Sequence, residues 1–127
     1  MNTSADAAGL KGRQGWRRVL NAFGYSWAGL RGAVIGEAAF RQLLFLNLLL
    51  IPIVLILEIT TAERALLIGV SLLTLVVELL NSAIEAAVDR ISLELHPLSA
   101  RAKDMGSAAQ SVTLVLLASI WACVLRG

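Results

Sequence analysis

Cysteine occurs once in this 127-residue chain, as Cys123, so no disulfide can form within it. No CxxC pair or Cys/His cluster is present to bind zinc. Cys123 lies in an apolar run, where a free thiol packs as a small hydrophobe. Charge is also scarce, at 16% Asp, Glu, Lys and Arg, against about 25% in soluble domains. Hydrophobic residues reach 57% and the mean hydropathy is +0.76. That balance excludes an ordinary soluble domain and predicts one small integral membrane domain. Neither GxxxxGK[ST] nor GxGxxG occurs, which excludes the known soluble kinase and dinucleotide-binding architectures. A signal peptide is not expected, because a long stretch of mixed polarity precedes the first apolar run. No nucleic-acid partner is expected.

Three long apolar segments are present. The first centres on Leu43 to Leu57 and contains Asn47 and Pro52, a proline that a membrane helix tolerates with a slight bend. The second runs from Ala65 into "VVELLNSAIEAAVDR", and the third covers Ser111 to Leu125. A span takes about 20 residues, so the expected transmembrane helices cover about 42–58, 64–90 and 105–126. Between the last two, "SLELHPLSARAKD" reads as a connector whose Pro97 breaks any continuous helix. Residues 1–12 are expected to be a poorly ordered terminus, and 13–127 a single domain.

Ahead of the first span, Trp16, Val19, Leu20, Phe23, Trp27 and Leu30 recur at spacings of three, four and seven among arginines. This predicts an amphipathic helix over about 14–41 lying on a membrane surface. Gly24, Gly29, Gly32 and Gly36 weaken it and suggest a turn or a close approach. The fold class is therefore all-α: three transmembrane helices plus an N-terminal amphipathic surface helix. With the N-terminus inside, nine of the eleven Lys and Arg residues fall on the cytosolic side, leaving only Arg64 and Arg126 outside. The positive-inside rule then places the N-terminus in the cytosol and the C-terminus outside.

The polar residues of the second span fall on one stripe. At the helical advance per residue, Glu78, Ser82, Glu85 and Asp89 lie within about 60° of one another, with Asn81 on the flank. Counted from Ala65, Glu78 is about 20 Å into a hydrocarbon layer about 30 Å thick. A lipid-facing carboxylate at such depth costs about 2.5–3.5 kcal/mol or more. Three helices offer little interior for the whole stripe, so self-association is expected. The alternative is a structural polar seam, which needs one or two amides and not three acids.

A second polar group, "RAKDMGSAAQS", opens the third span. Lys103, Ser107 and Ser111 share a face beside Asp104, and Gly106, Ala108 and Ala109 permit close approach of a neighbour. A lysine at a helix N-terminus is a plausible phosphate site, or simply a topology signal. Glu37 and Arg41, four apart, are either an ion pair on the surface helix or part of the same interface. Acids there can bind magnesium or take a proton, and basic groups can hold phosphates.

Taken together, "GYSWAGLRG", "EAAFRQ", "VELLNSAIEAAVDR" and "LSARAKDMGSAA" resemble the small integral-membrane diacylglycerol kinases of Gram-negative bacteria, over roughly Arg17 to Trp121. The resemblance implies a homotrimer in the bacterial inner membrane that works in phospholipid metabolism. It would transfer the γ-phosphate of Mg-ATP to the hydroxyl of diacylglycerol, giving phosphatidic acid. It further implies Glu78 as the catalytic base and Asn81 as an amide orienting base or acceptor. Glu37 and Glu85 would hold Mg2+. Lys103, Asp104, Arg18, Tyr25, Glu94 and His96 would contact ATP, although for His96 a solvated loop position is equally open. Arg31, Arg41 and Ser107, with Glu78, would lie near the lipid substrate. The chain departs from the family pattern at Asn21 and Ala28, where lysine is usual, and at Gly36. Two alternatives stand beside this reading: an undecaprenol kinase of the same family, and a non-enzymatic membrane scaffold or pore.

Overall fold

A computed structural model describes the backbone of residues 3–127 and the side chains of residues 14–127. Among the described residues the secondary structure is helical throughout, in the order α1 (Thr3–Gly36), α2 (Ala38–Ile56), α3 (Thr61–Ile91) and α4 (Pro97–Arg126). The last three are each long and apolar enough to cross a membrane. The chain is an all-α membrane protein with the expected number of spans.

Helix α1 forms a unit by itself. It continues through Gly24, Gly29 and Gly32 without the expected turn and stops at Gly36. Each interior glycine weakens a helix by only about 1 kcal/mol, too little to break one this long. Its apolar stripe is open, with Trp16, Leu20, Phe23 and Trp27 all exposed. The expected poorly ordered terminus falls partly on Met1 and Asn2, which lie outside the described residues; from Thr3 the backbone is helical.

The residues from Glu37 onward form the second unit. Glu37 is not on the surface helix, as the sequence suggested. Its backbone is extended (φ −118°, ψ 108°), and it is the N-cap of α2. Glu37 and Arg41 therefore straddle a helix start, joined through the backbone, where Arg41 N–H donates to Glu37 O at 3.2 Å. Helix α2 tolerates Pro52 in its interior, since lipid-embedded helices have neighbours to compensate the missing donor.

Two local devices fix the turn into α3. Thr60 and Glu63 form a capping box: Glu63 N–H donates to Thr60 Oγ1 at 3.1 Å, and Thr60 N–H donates to Glu63 Oε1 at 3.0 Å. Arg64 reaches back to the C-terminal carbonyls of α2, donating to Val54 O and, at 3.1 Å, to Leu57 O. Val54 O is among the carbonyls that a helix end leaves without partners, while Leu57 O also accepts from Ile59 N–H at 3.1 Å.

At the other end of α3 the structure corrects the sequence reading. The expected connector through Asp104 shrinks to Ser92–His96, because Pro97 starts α4 and does not interrupt it. Proline suits the first helical turn, where its missing N–H is not needed. His96 is the N-cap, its Nδ1 accepting from Leu98 N–H at 3.1 Å. Lys103 and Asp104 consequently lie inside α4, two turns from its start.

Helix α3 is central and packs against both α2 and α4. Near the α2–α3 turn the core is apolar: Val54, Leu67 and Val124, with Ile59, Ile68, Ile120 and Trp121 around them. Further along α3 it becomes polar. Asn47, Ser71, Thr74, Glu78, Gln110 and Thr113 are all buried. Asn47 Nδ2 donates to Leu43 O at 2.9 Å and to Thr74 Oγ1 at 3.2 Å, and Thr74 Oγ1 donates to Ser71 O at 2.6 Å. Such interhelical bonds hold helices together in lipid, where apolar burial supplies no drive.

Replacing Arg64 by methionine leaves those α2 carbonyls without their cation. We expect a loss of about 1.5–3 kcal/mol, read by denaturant titration of the protein in mixed micelles, with helical content unchanged in the folded state.

Candidate active site on α3 and α4

The polar stripe of α3 is graded in exposure. Glu78 is 6% exposed, Ser82 and Glu85 are half-buried, and Asp89 is exposed. A single chain therefore hides Glu78 but not the whole stripe, whose outer carboxylates stay at least partly open. The reason lies on α4. Gln110 Nε2 donates to Glu78 Oε2 at 3.0 Å and to the carbonyl of Thr74 at 3.0 Å. The carboxylate is thus partnered by a neutral amide inside the bundle.

One turn on, Asn81 faces Gly106. A Cβ on residue 106 would collide with Asn81 Oδ1, so any larger residue there would force the Asn81 side chain to shift. Asn81 Oδ1 is itself buried without a hydrogen bond. Further along, Lys103 Nζ forms an ion pair with Asp89 Oδ1 at 2.6 Å. This pair closes α3 onto α4 beside a cavity of about 570 Å³ under the Ser92–His96 connector. Asp89, Glu94, His96, Lys103 and Asp104 line it. Four of the expected nucleotide contacts are brought together here. A cavity of this size falls within the range of small-ligand pockets, about 300–1,000 Å³.

Other expected site residues stand elsewhere. Arg18, Tyr25 and Arg31 are exposed on α1, in the separate unit. Arg41 is exposed in the first turn of α2, and Glu37 is half-buried at its N-cap. Ser107 is exposed on α4, its carbonyl accepting from Ser111 Oγ at 3.2 Å. Among the described residues no group of three or more His, Cys, Asp or Glu forms a metal cage.

Sequence reading missed Gln110 and Thr74. Gln110 follows Lys103 by seven residues, so it lies on the same helical face as Lys103, Gly106 and Ser107. That spacing was the available signal.

A family described as prokaryotic diacylglycerol kinase matches residues 24–125. The chain belongs to the prokaryotic diacylglycerol kinase family. Proteins named diacylglycerol kinase are similar over nearly the full length. One from Pseudomonas aeruginosa is 61% identical over 118 residues, covering 93% of this chain and 96% of its own. Another from Escherichia coli K12 is 50% identical over 111 residues, covering 87% and 90%. A third, from Helicobacter pylori, is 45% identical over 108 residues, covering 85% and 84%. Of the expected site residues, only Arg18 precedes the segment matched to the diacylglycerol kinase family.

The Gly106–Asn81 contact gives a prediction that needs no activity assay. Gly106→Ala should cost about 1–3 kcal/mol through overpacking, and much less in an Asn81→Ala background, where the colliding oxygen is gone. A double-mutant cycle by denaturant titration reads the difference; equal losses in both backgrounds would place the strain elsewhere.

Proposed function

We propose that the chain is an ATP-dependent diacylglycerol kinase, transferring the γ-phosphate of ATP to the free hydroxyl of diacylglycerol and releasing phosphatidic acid and ADP. The observation that carries this reading is Glu78: a carboxylate buried in a membrane-spanning helix and held by a neutral amide, in a chain of the diacylglycerol kinase family. A hydroxyl presented from the bilayer gives its proton to Glu78 as its oxygen attacks the γ-phosphorus. The bond from that phosphorus to the β-phosphate oxygen breaks, and ADP leaves. General-base help of this kind is worth about 10²–10⁴-fold.

The nucleotide occupies the cavity under the α3–α4 connector, with Lys103 on its phosphates and Asp104, Glu94 and His96 around it. Arg18 and Tyr25 of α1 are assigned to nucleotide binding by the sequence resemblance alone. Arg31, Arg41 and Ser107 face the lipid, and Asn81 orients the base or the acceptor. Mg2+ fits the donor set. It prefers oxygen ligands and is usually held by one or two carboxylates plus substrate phosphates, and Glu37 and Glu85 are such carboxylates. When bound, the ion neutralises charge on the phosphates.

Along one α3, Glu78 and the Asp89 that holds Lys103 are about 16 Å apart at the helical rise. That separation supports sites that combine residues of two subunits, in the homotrimer that the family resemblance implies. It belongs in the bacterial inner membrane with the N-terminus in the cytosol, as the nine-to-two distribution of Lys and Arg supports.

The test is transfer from γ-labelled ATP with Mg2+ in mixed micelles, with dioleoylglycerol and undecaprenol offered together. We expect labelled phosphatidic acid, reduced about 10²–10⁴-fold by Glu78→Gln at unchanged helical content. Label on undecaprenol alone reassigns the acceptor, and label on neither lipid from folded protein defeats the kinase reading. Mixing Glu78→Gln with Lys103→Ala subunits should restore part of the activity; no recovery would argue against shared sites.

A further inference from the structure

Three buried polar residues have no part in the reaction above: Asn47, Thr74 and Gln110. They form a continuous line from α2 through α3 to α4, and the line ends on Glu78. We infer that Gln110 is a positioning residue for the Glu78 carboxylate, an inference that rests on Glu78 being the base.

The geometry leaves the amide little freedom. Both hydrogens of Gln110 Nε2 are committed, one to Thr74 O and one to Glu78 Oε2, each at 3.0 Å. Turning the amide over would set its oxygen against a carbonyl and a carboxylate, both acceptors, so only one orientation fits. Thr74 lies four residues before Glu78, so within α3 its carbonyl also receives the Glu78 backbone N–H. One carbonyl thereby fixes both the main chain of Glu78 and, through Gln110, its side chain. Thr74 is in turn tied down by its own hydroxyl, which donates to Ser71 O and accepts from Asn47.

A bond between helices would be better satisfied if both ends of the amide were paired. Gln110 Oε1 is instead buried without a partner, on a residue 8% exposed. The side chain keeps its donor end on Glu78 at the expense of its acceptor end, as orientation of the carboxylate requires and as adhesion of helices does not. With Oε2 held, Oε1 is the oxygen left to take the proton of an acceptor hydroxyl.

The test uses the full chain in mixed micelles with ATP, Mg2+ and dioleoylglycerol. Gln110→Met keeps length and suits a membrane helix but carries no amide. We expect kcat to fall about 10- to 100-fold with KM for both substrates within about twofold. Thr113→Val is the control: it removes a buried hydroxyl of α4 that bonds Ala109 O and not the line to Glu78, so it should leave kcat of the folded protein unchanged. Should Gln110→Met fail to fold, Gln110→Asn, whose amide is drawn back by one methylene, should show the same kcat loss. Unchanged kcat in the folded Gln110 variant, or an equal loss in Thr113→Val, would overturn the assignment and leave Gln110 as helix adhesion only. A wild-type protein that phosphorylates no diacylglycerol would instead overturn the kinase reading, so the two failures are distinguishable.

Discussion

A carboxylate inside a membrane bundle has to be held by something, and here that need organises the rest of the structure. Glu78 cannot face lipid without a penalty of about 2.5–3.5 kcal/mol, and no cation reaches it among the described residues. The bundle meets it with an amide from α4. That amide needs a fixed carbonyl on α3, and the surrounding Thr74 is anchored to α2 through Asn47. The order of packing, α2 on α3 and α3 on α4, follows the path of this polar line. The apolar contacts of Val54, Leu67 and Val124 lie toward the other end of the bundle, where the one charge drawn in, Arg64, is met by carbonyls.

Helix α4 carries polar groups at two levels. Its first turns carry Lys103 and Asp104 into the cavity, and Gln110, seven residues later, reaches Glu78. Between them Gly106 lets the two helices touch at Asn81. The distance along α4 between the cation and the amide is therefore set by two turns of rigid helix, about 10 Å. A site spread over flexible loops would have no such fixed spacing.

Much of this was legible in the sequence, for identifiable reasons. The three spans were readable because lipid demands long apolar runs, and the stripe from Glu78 to Asp89 because helical periodicity converts spacing into direction. Pro97 was misjudged: proline both ends helices and begins them, and only the His96 cap decides which. Glu37 was placed on the surface helix because neither Gly36 nor Glu37 signals an extended N-cap by itself. Gln110 escaped notice because its importance depends on a residue thirty-two positions away, and no local pattern encodes that contact.

The ion pair of Asp89 with Lys103 has a consequence for selectivity. The lysine that faces the cavity already has an anion at 2.6 Å. Any ligand that takes this ammonium must outcompete a carboxylate fixed on the neighbouring helix, so what counts is a difference between two anions and not the attraction of one. A singly charged group gains little by the exchange, whereas a polyphosphate brings several charges and more acceptor oxygens. Both side chains of the pair are nearly half exposed, at 41% and 47%, so its hold is modest, about 0–1 kcal/mol: enough to disfavour a weakly charged competitor and too little to bar a polyphosphate.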